Sequence, residues 1–111
     1  MTSEKADVRL LLADVDGTLV TQDKVLTDQA VAATRELHEA GITLALTSGR
    51  PPRGMSMLIA PLRLEGAIAG FNGGVFVHPD LSVIESHLLD PATAKETLQL
   101  ILDQGLDACV Y

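Results

Sequence analysis

Cysteine is nearly absent from this chain: Cys109 is the only one in 111 residues. That excludes an intrachain disulfide and any cysteine-rich zinc site. It makes a reducing, cytoplasmic compartment the simplest setting, with Cys109 read as a small buried hydrophobe. Positive charge is also scarce, with 8 Lys and Arg against 15 Asp and Glu for a formal net charge of −7. Nucleic acids and acidic membrane surfaces are held by basic patches, so this balance argues against both as partners and points to a small ligand. No stretch approaches the ~18 consecutive apolar residues of a membrane span, and Met1 to Asp7 is too polar and mixed in charge for a signal peptide. Repeats, low-complexity tracts and linkers are lacking as well. What is left, 47% hydrophobic and 21% charged, is the composition of one small folded domain.

The densest apolar stretch runs from Val8 to Leu19, VRLLLADVDGTL, and delivers Asp14 and Asp16 onto a Gly17-Thr18 turn. A run this apolar suits a strand buried on both faces, as in a parallel sheet flanked by helices. Such sheets bind ligands beyond the carboxyl ends of their strands, where Asp14 falls. If the extended backbone continues to Asp16, both carboxylates project the same way, roughly 7 Å apart. Paired carboxylates repel, so they ask for a metal or for a division between an ionised and a protonated acid. A turn that merely caps a loop is the plainer reading of the same residues. A calcium loop is excluded, because the positions it reserves for Gly and Glu, counted from Asp14, hold Leu19 and Val25.

Leu19 to Leu26 has apolar ends around a polar centre and reads as a small hairpin or flap beside the aspartates. Thr27 caps a helix with Asp28 in its first turn; Val31, Thr34, Leu37 and Ala40 recur at helical spacing, and Gly41 ends it. Ile42 to Leu46 is a second strand, completing a right-handed βαβ unit with parallel strands. Thr47-Ser48-Gly49-Arg50 therefore emerges at the same sheet edge as Asp14. Pro51 and Pro52 open a helix with Met55, Leu58, Ile59 and Leu62 on one face. Ala67 to Ala69 is a third strand, and the glycines from Gly70 to Gly74 permit positive φ and close backbone approach. Val75 to His78 and Leu81 to Leu88 flank the Pro79-Asp80 turn as antiparallel strands. Asp90-Pro91 opens a helix with Ala94, Leu98, Ile101 and Leu102 inward and Gly105 as its stop, after which Leu106 to Tyr111 begins another strand. His38, His78 and His87 have no spacing that pairs them on one element for a metal, and read as surface or half-buried side chains.

Three loops thus meet at one edge, bearing two acids, a hydroxyl with Gly and Arg, and Asn72 among glycines. The set suits phosphoryl transfer. An ionised carboxylate attacks phosphorus, a neighbouring acid protonates the leaving oxygen, and Mg²⁺ bridges carboxylate and phosphate. Ser48 and the amides around Gly49 hold phosphate oxygens in this reading, helped by the N-terminus of the helix from Pro51. An ordinary strand-to-helix turn is the alternative for Ser48-Gly49 alone.

Asp14-Val15-Asp16-Gly17-Thr18-Leu19 resembles the first motif of the haloacid dehalogenase (HAD) superfamily of phosphohydrolases, and Ser48-Gly49-Arg50-Pro51 resembles its second. With the Asn72-Gly73-Gly74 turn, the hairpin and the helix from Asp90, the chain from about Val8 to Tyr111 is most similar to the Cof-like branch. The resemblance implies an α/β fold: a Rossmann-like parallel sheet with flanking helices over residues 1–88, flap and hairpin included, then the start of an α+β cap at 89–111. It implies Asp14 as the nucleophile that forms an aspartyl-phosphate and binds Mg²⁺, and Asp16 as the general acid/base that lends its backbone carbonyl to the metal. It implies phosphoryl binding at Ser48 and Gly49, and places Thr47, Arg50 and Asn72 near the substrate; a surface ion pair is the alternative for Arg50. The implied activity is Mg²⁺-dependent hydrolysis of a small phosphorylated metabolite such as a sugar phosphate. A phosphomutase or other phosphotransferase is a close variant, and a non-catalytic fragment or interaction module is the alternative of another class.

The family's third motif, a Lys, and its fourth, a set of acids, have no counterpart here. Lys95, the only Lys after the second motif, falls on a solvated helix face. The chain therefore reads as the N-terminal part of a longer enzyme, silent by itself. The strand from Val8 to Asp14 is central in the fold that it resembles; without later neighbours it presents an unpaired apolar edge, a template for self-association.

Overall fold

The computed structural model describes residues 7–111, so of the segment Met1 to Asp7 all but Asp7 lies outside the described residues. The order is β1 (Leu10–Asp14), α1 (Asp28–Glu39), β2 (Thr43–Thr47), a 3₁₀ turn (Pro52–Met55) leading into α2 (Ser56–Leu62), and β3 (Ile68–Gly70). A second 3₁₀ turn (Phe71–Gly73), β4 (Val75–Val77), β5 (Val83–Ser86) and α3 (Pro91–Asp103) follow. The five strands form one sheet in the order β1-β2-β3-β4-β5. β1, β2 and β3 are parallel, and β4 and β5 fold back antiparallel. This is the α/β architecture, a largely parallel sheet with helices packed on it, that the motifs imply.

Local chemistry sets the helix ends. Thr27 Oγ1 accepts the Ala30 amide at 3.2 Å, satisfying one of the orphan donors of α1, and Asp28 lies in its first turn. Gly41 takes φ +74° just past the helix end, where a residue with a Cβ would be strained. Right-handed crossovers from β1 to β2 and from β2 to β3 put α1 and α2 on one face of the sheet, where they touch. The core lies beneath them: Leu44, Leu46, Met55, Leu58, Leu62, Ile68 and Val77 are buried together with Val15 and Val20. Burying a leucine such as Leu46 contributes about 1.5–3 kcal/mol, so this cluster holds β2 and β3 in place.

β1 is an edge strand, paired on one side only, with Leu10, Leu11 and Leu12 exposed by 58%, 42% and 59%. Burial on both faces is therefore not what this strand has, whereas the unpaired apolar edge is. Its extended backbone stops at Asp14. The amides of Thr18, Leu19 and Val20 turn back to the Val15 carbonyl at 3.2, 3.0 and 3.0 Å, so Asp14 and Asp16 are not successive same-side residues of one strand. The Leu19 to Leu26 flap is a tight turn without a ladder of its own; Thr21 N donates to Val25 O at 2.9 Å, and the Thr21 hydroxyl takes the Val25 amide. Leu106 to Tyr111 forms no strand, because an apolar segment becomes one only beside a partner, and none lies there among the described residues. α3 buries none of its residues: Ala94, Leu98 and Ile101 are half-buried and Leu102 is exposed, unlike the inward face expected of all four. Cys109 is exposed rather than buried.

Candidate active site

The sheet register places the site. Asp14 stands opposite Thr47, and Thr47 opposite Ala69, so the ends of β1, β2 and β3 make one row from which the three loops leave. Thr47 is half-buried in that row. Asp14 is exposed, and its Oδ2 accepts the Thr18 hydroxyl at 3.2 Å, a tether supplied by the turn's own threonine.

Ser48 is the buried polar residue of the site, 3% exposed. Its backbone is clamped, N–H to Ala69 O at 3.0 Å and C=O from the Asn72 amide at 2.8 Å. Its Oγ accepts the Arg50 amide at 3.1 Å, which leaves the hydroxyl hydrogen to donate. Gly49 is exposed beside it, and a Cβ there would stand 3.4 Å from Asn72 Nδ2, so the Asn72 amide lies against the Ser48-Gly49 turn. Asn72 reaches it through a left-handed backbone, φ 55° and ψ 37°, and Phe71 before it has φ 51°. Each such residue costs on the order of 1 kcal/mol, and the bonds from Phe71 N to Arg50 O and from Asn72 N to Ser48 O hold the pair there.

Arg50 faces Asp16. Its Nε donates to Asp16 Oδ2 at 2.9 Å and its Nη2 to Oδ1 at 2.5 Å, a two-pronged pair, while Nη1 donates to Gly54 O at 3.0 Å. The guanidinium side chain is 18% exposed and the carboxylate 44%. The hydrogen bond from Arg50 holds the Asp16 carboxyl below its usual range against a smaller desolvation, and the Arg50 and Lys24 charges add to the lowering. The same bond raises Arg50. The cation that two neighbouring carboxylates demand is thus supplied to Asp16 from 34 residues away. Lys24, on the flap turn with φ 62°, and Thr18 are the contributors that sequence reasoning passed over. A residue's place in a turn is local, but which charge it approaches is tertiary.

Oxygen donors that suit a hard cation are present, though few. The Asp14 carboxylate faces solvent with one neutral partner, whereas both Asp16 carboxylate oxygens are taken by Arg50. Among the described residues no group of three or more His, Cys, Asp or Glu gathers.

The haloacid dehalogenase-like hydrolase family model matches residues 11–111. The chain belongs to this family. Its relatives include the HMP-PP phosphatase of Cronobacter sakazakii, 31% identical over 103 residues, covering 93% of this chain and 38% of that protein. The phosphoglycolate phosphatase of Thermoplasma volcanium is 32% identical over 101 residues, covering 85% of this chain and 45% of the relative. Among solved structures, a HAD-superfamily phosphatase from Bacteroides thetaiotaomicron superposes with a TM-score of 0.80 at 21% identity, over 94% of this chain and 39% of that one. The chain spans less than half the length of each of these curated relatives. In this member of the family the two motif loops are not merely adjacent: Arg50 of the second grips Asp16 of the first.

Proposed function

We propose that this chain supplies the nucleophile, the acid/base and the phosphate-binding loop of a Mg²⁺-dependent cytoplasmic phosphatase. It acts through an aspartyl-phosphate on a small phosphorylated metabolite such as a sugar phosphate. One observation carries the reading: a solvent-facing carboxylate, an arginine-held carboxylate and a buried hydroxyl whose oxygen accepts the Arg50 amide lie at one sheet edge. The phosphatase names of the relatives support the substrate class.

Asp14 attacks phosphorus; the new Oδ–P bond forms as the bond to the leaving oxygen breaks, and Asp16 gives that oxygen a proton. Water then attacks the aspartyl-phosphate, passes its proton to Asp16 and releases phosphate, restoring both acids. Arg50 holds Asp16 as the carboxylate, the form that takes the proton from water. The protonated form requires the fork to let go, and an incoming phosphate, itself a partner for guanidinium groups, competes for it. Ser48 Oγ–H donates to a phosphoryl oxygen, with Gly49 allowing close approach. Thr47, Arg50 and Asn72 border the substrate. Mg²⁺ would be held by the Asp14 carboxylate and the Asp16 main-chain carbonyl, and when bound it offsets the charge shared by carboxylate and phosphate. We place the end of the core at residue 88 and the start of a cap at 89.

The test is turnover of an aryl phosphate by the complete protein, with Mg²⁺ and after chelation. Asp14→Asn is expected to lower turnover by several powers of ten with the fold retained, and Asp16→Asn to slow release of the leaving group. Undiminished turnover by folded, metal-saturated Asp14→Asn overturns the assignment.

A further inference from the structure

The carboxyl ends of α1 and α2 border an open cavity of about 250 Å³. Both helices run opposite to the parallel strands, so these ends lie at the sheet edge away from the Asp14 loops. Val31 and Leu62 line it as apolar wall, and Arg35, His38 and Arg63 line it with a single acid, Glu65. Among the described residues neither guanidinium has a carboxylate within 4.0 Å, although the chain as a whole carries a net charge of −7. His38 Nε2 donates to Leu62 O at 3.1 Å, which ties α1 to α2 and fixes the cavity's width.

Arg63 also sits on a backbone that does not suit it. α1 and α3 place Gly41 (φ 74°) and Gly105 (φ 71°) just past their ends, but α2 places Arg63 there at φ 47°, ψ 51°. The left-handed conformation costs a residue with a Cβ about 1 kcal/mol relative to glycine. Strain that persists where glycine would relieve it points to a use for the side chain.

We propose that this cavity binds a small phosphorylated dianion between the guanidinium forks of Arg35 and Arg63, separately from the Asp14 site. Arg35 of α1 and Arg63 just past α2 both line the cavity, a guanidinium presents paired N–H donors that suit phosphate oxygens, and the apolar wall takes the body of the ligand.

The experiment titrates inorganic phosphate into the metal-free complete protein and follows the Nε–H resonances of Arg35 and Arg63, the His38 ring and the Ser48-Gly49 amides by NMR. Saturable shifts are expected at all three basic side chains. Arg63→Gly should weaken that binding at least tenfold while melting at an unchanged or higher temperature and keeping the Ser48-Gly49 response. Arg35→Gln, at an exposed mid-helix position without backbone strain, should weaken it to the same degree and covers a failure of Arg63→Gly to fold. If Arg63 serves only to complement the last carbonyls of α2, the three resonances stay still at phosphate levels that saturate the Ser48 loop, and the proposal falls. Undiminished affinity in either variant overturns it too.

Discussion

Gly70→Ala should unfold the chain more easily and disable the site, for a reason that has nothing to do with torsion. Gly70 has φ −86° and ψ 163°, an extended conformation open to any residue. A Cβ there would lie 2.6 Å from Pro52 Cδ, 2.7 Å from Cγ and 2.9 Å from N, whereas carbon atoms rest about 3.5 Å or more apart. A proline ring cannot rotate away, so the Pro51-Pro52 turn has to move by about an ångström. Overpacking of this kind costs about 1–3 kcal/mol; near 2 kcal/mol, the urea midpoint falls by about 1 M for a small domain. The same turn holds Arg50, whose carbonyl takes the Phe71 amide at 3.0 Å and whose Nη1 donates to Gly54 O at 3.0 Å. Its displacement loosens the Asp16 fork, so turnover drops further than stability alone accounts for. Gly105→Ala is the control: φ is 71° with nothing within 4 Å of the added carbon, so it costs about 1 kcal/mol in backbone strain and leaves turnover alone. A Gly70→Ala protein within ~0.5 kcal/mol of the parent refutes the steric reasoning, given that distant surface changes produce about that much. One that is destabilised yet fully active refutes the link from Pro52 to Arg50.

Arg50→Met removes the hydrogen bond that lowers Asp16, so its carboxyl returns towards 3.8, its unperturbed value. A depressed carboxylate stabilises the fold above that value and loses the contribution as pH falls through its folded pKa, so the gap in urea midpoint between parent and variant should be widest at pH 7 and narrow in acid to what the lost bond to Gly54 O leaves; a gap that does not narrow argues that charge contributes nothing. Ser48→Ala leaves the Arg50 amide without its acceptor, costs about 1–3 kcal/mol, and should raise KM for a phosphate ester; an unchanged KM removes Ser48 from phosphate binding. The 111-residue chain expressed alone should turn over no aryl phosphate and should self-associate through β1 in light scattering, with Leu11→Lys restoring the monomer; a monodisperse parent, or one with robust Mg²⁺-dependent turnover, contradicts this.

The elements that sequence alone made legible are those whose cause is local. The cap at Thr27, the stops at Gly41 and Gly105 and the apolar faces of Met55, Leu58 and Leu62 are all where propensity and period put them. The apolar run into Asp14 marked β1 and its loop, but whether a strand has two neighbours or one is decided by the rest of the fold, and Leu10 to Leu12 stand exposed for that reason. Leu106 to Tyr111 failed as a strand on the same ground.

The glycine-rich turn shows a subtler limit. Glycine between Gly70 and Gly74 signalled positive φ, yet Gly70 is extended and Gly74 right-handed; Phe71, Asn72 and Gly73 take the left-handed backbone. Gly70 is there for clearance against Pro52, a contact no local pattern encodes. The strain falls on Phe71 and Asn72 because their amides are claimed by Arg50 O and Ser48 O, which tie the third loop to the second. Arg50 then ties the second to the first through Asp16. The site is therefore one connected unit rather than three loops that happen to be near each other. Perturbing Pro52, two residues beyond Arg50 and bonded to no substrate in the proposed mechanism, is expected to reach the acid/base through that chain of contacts.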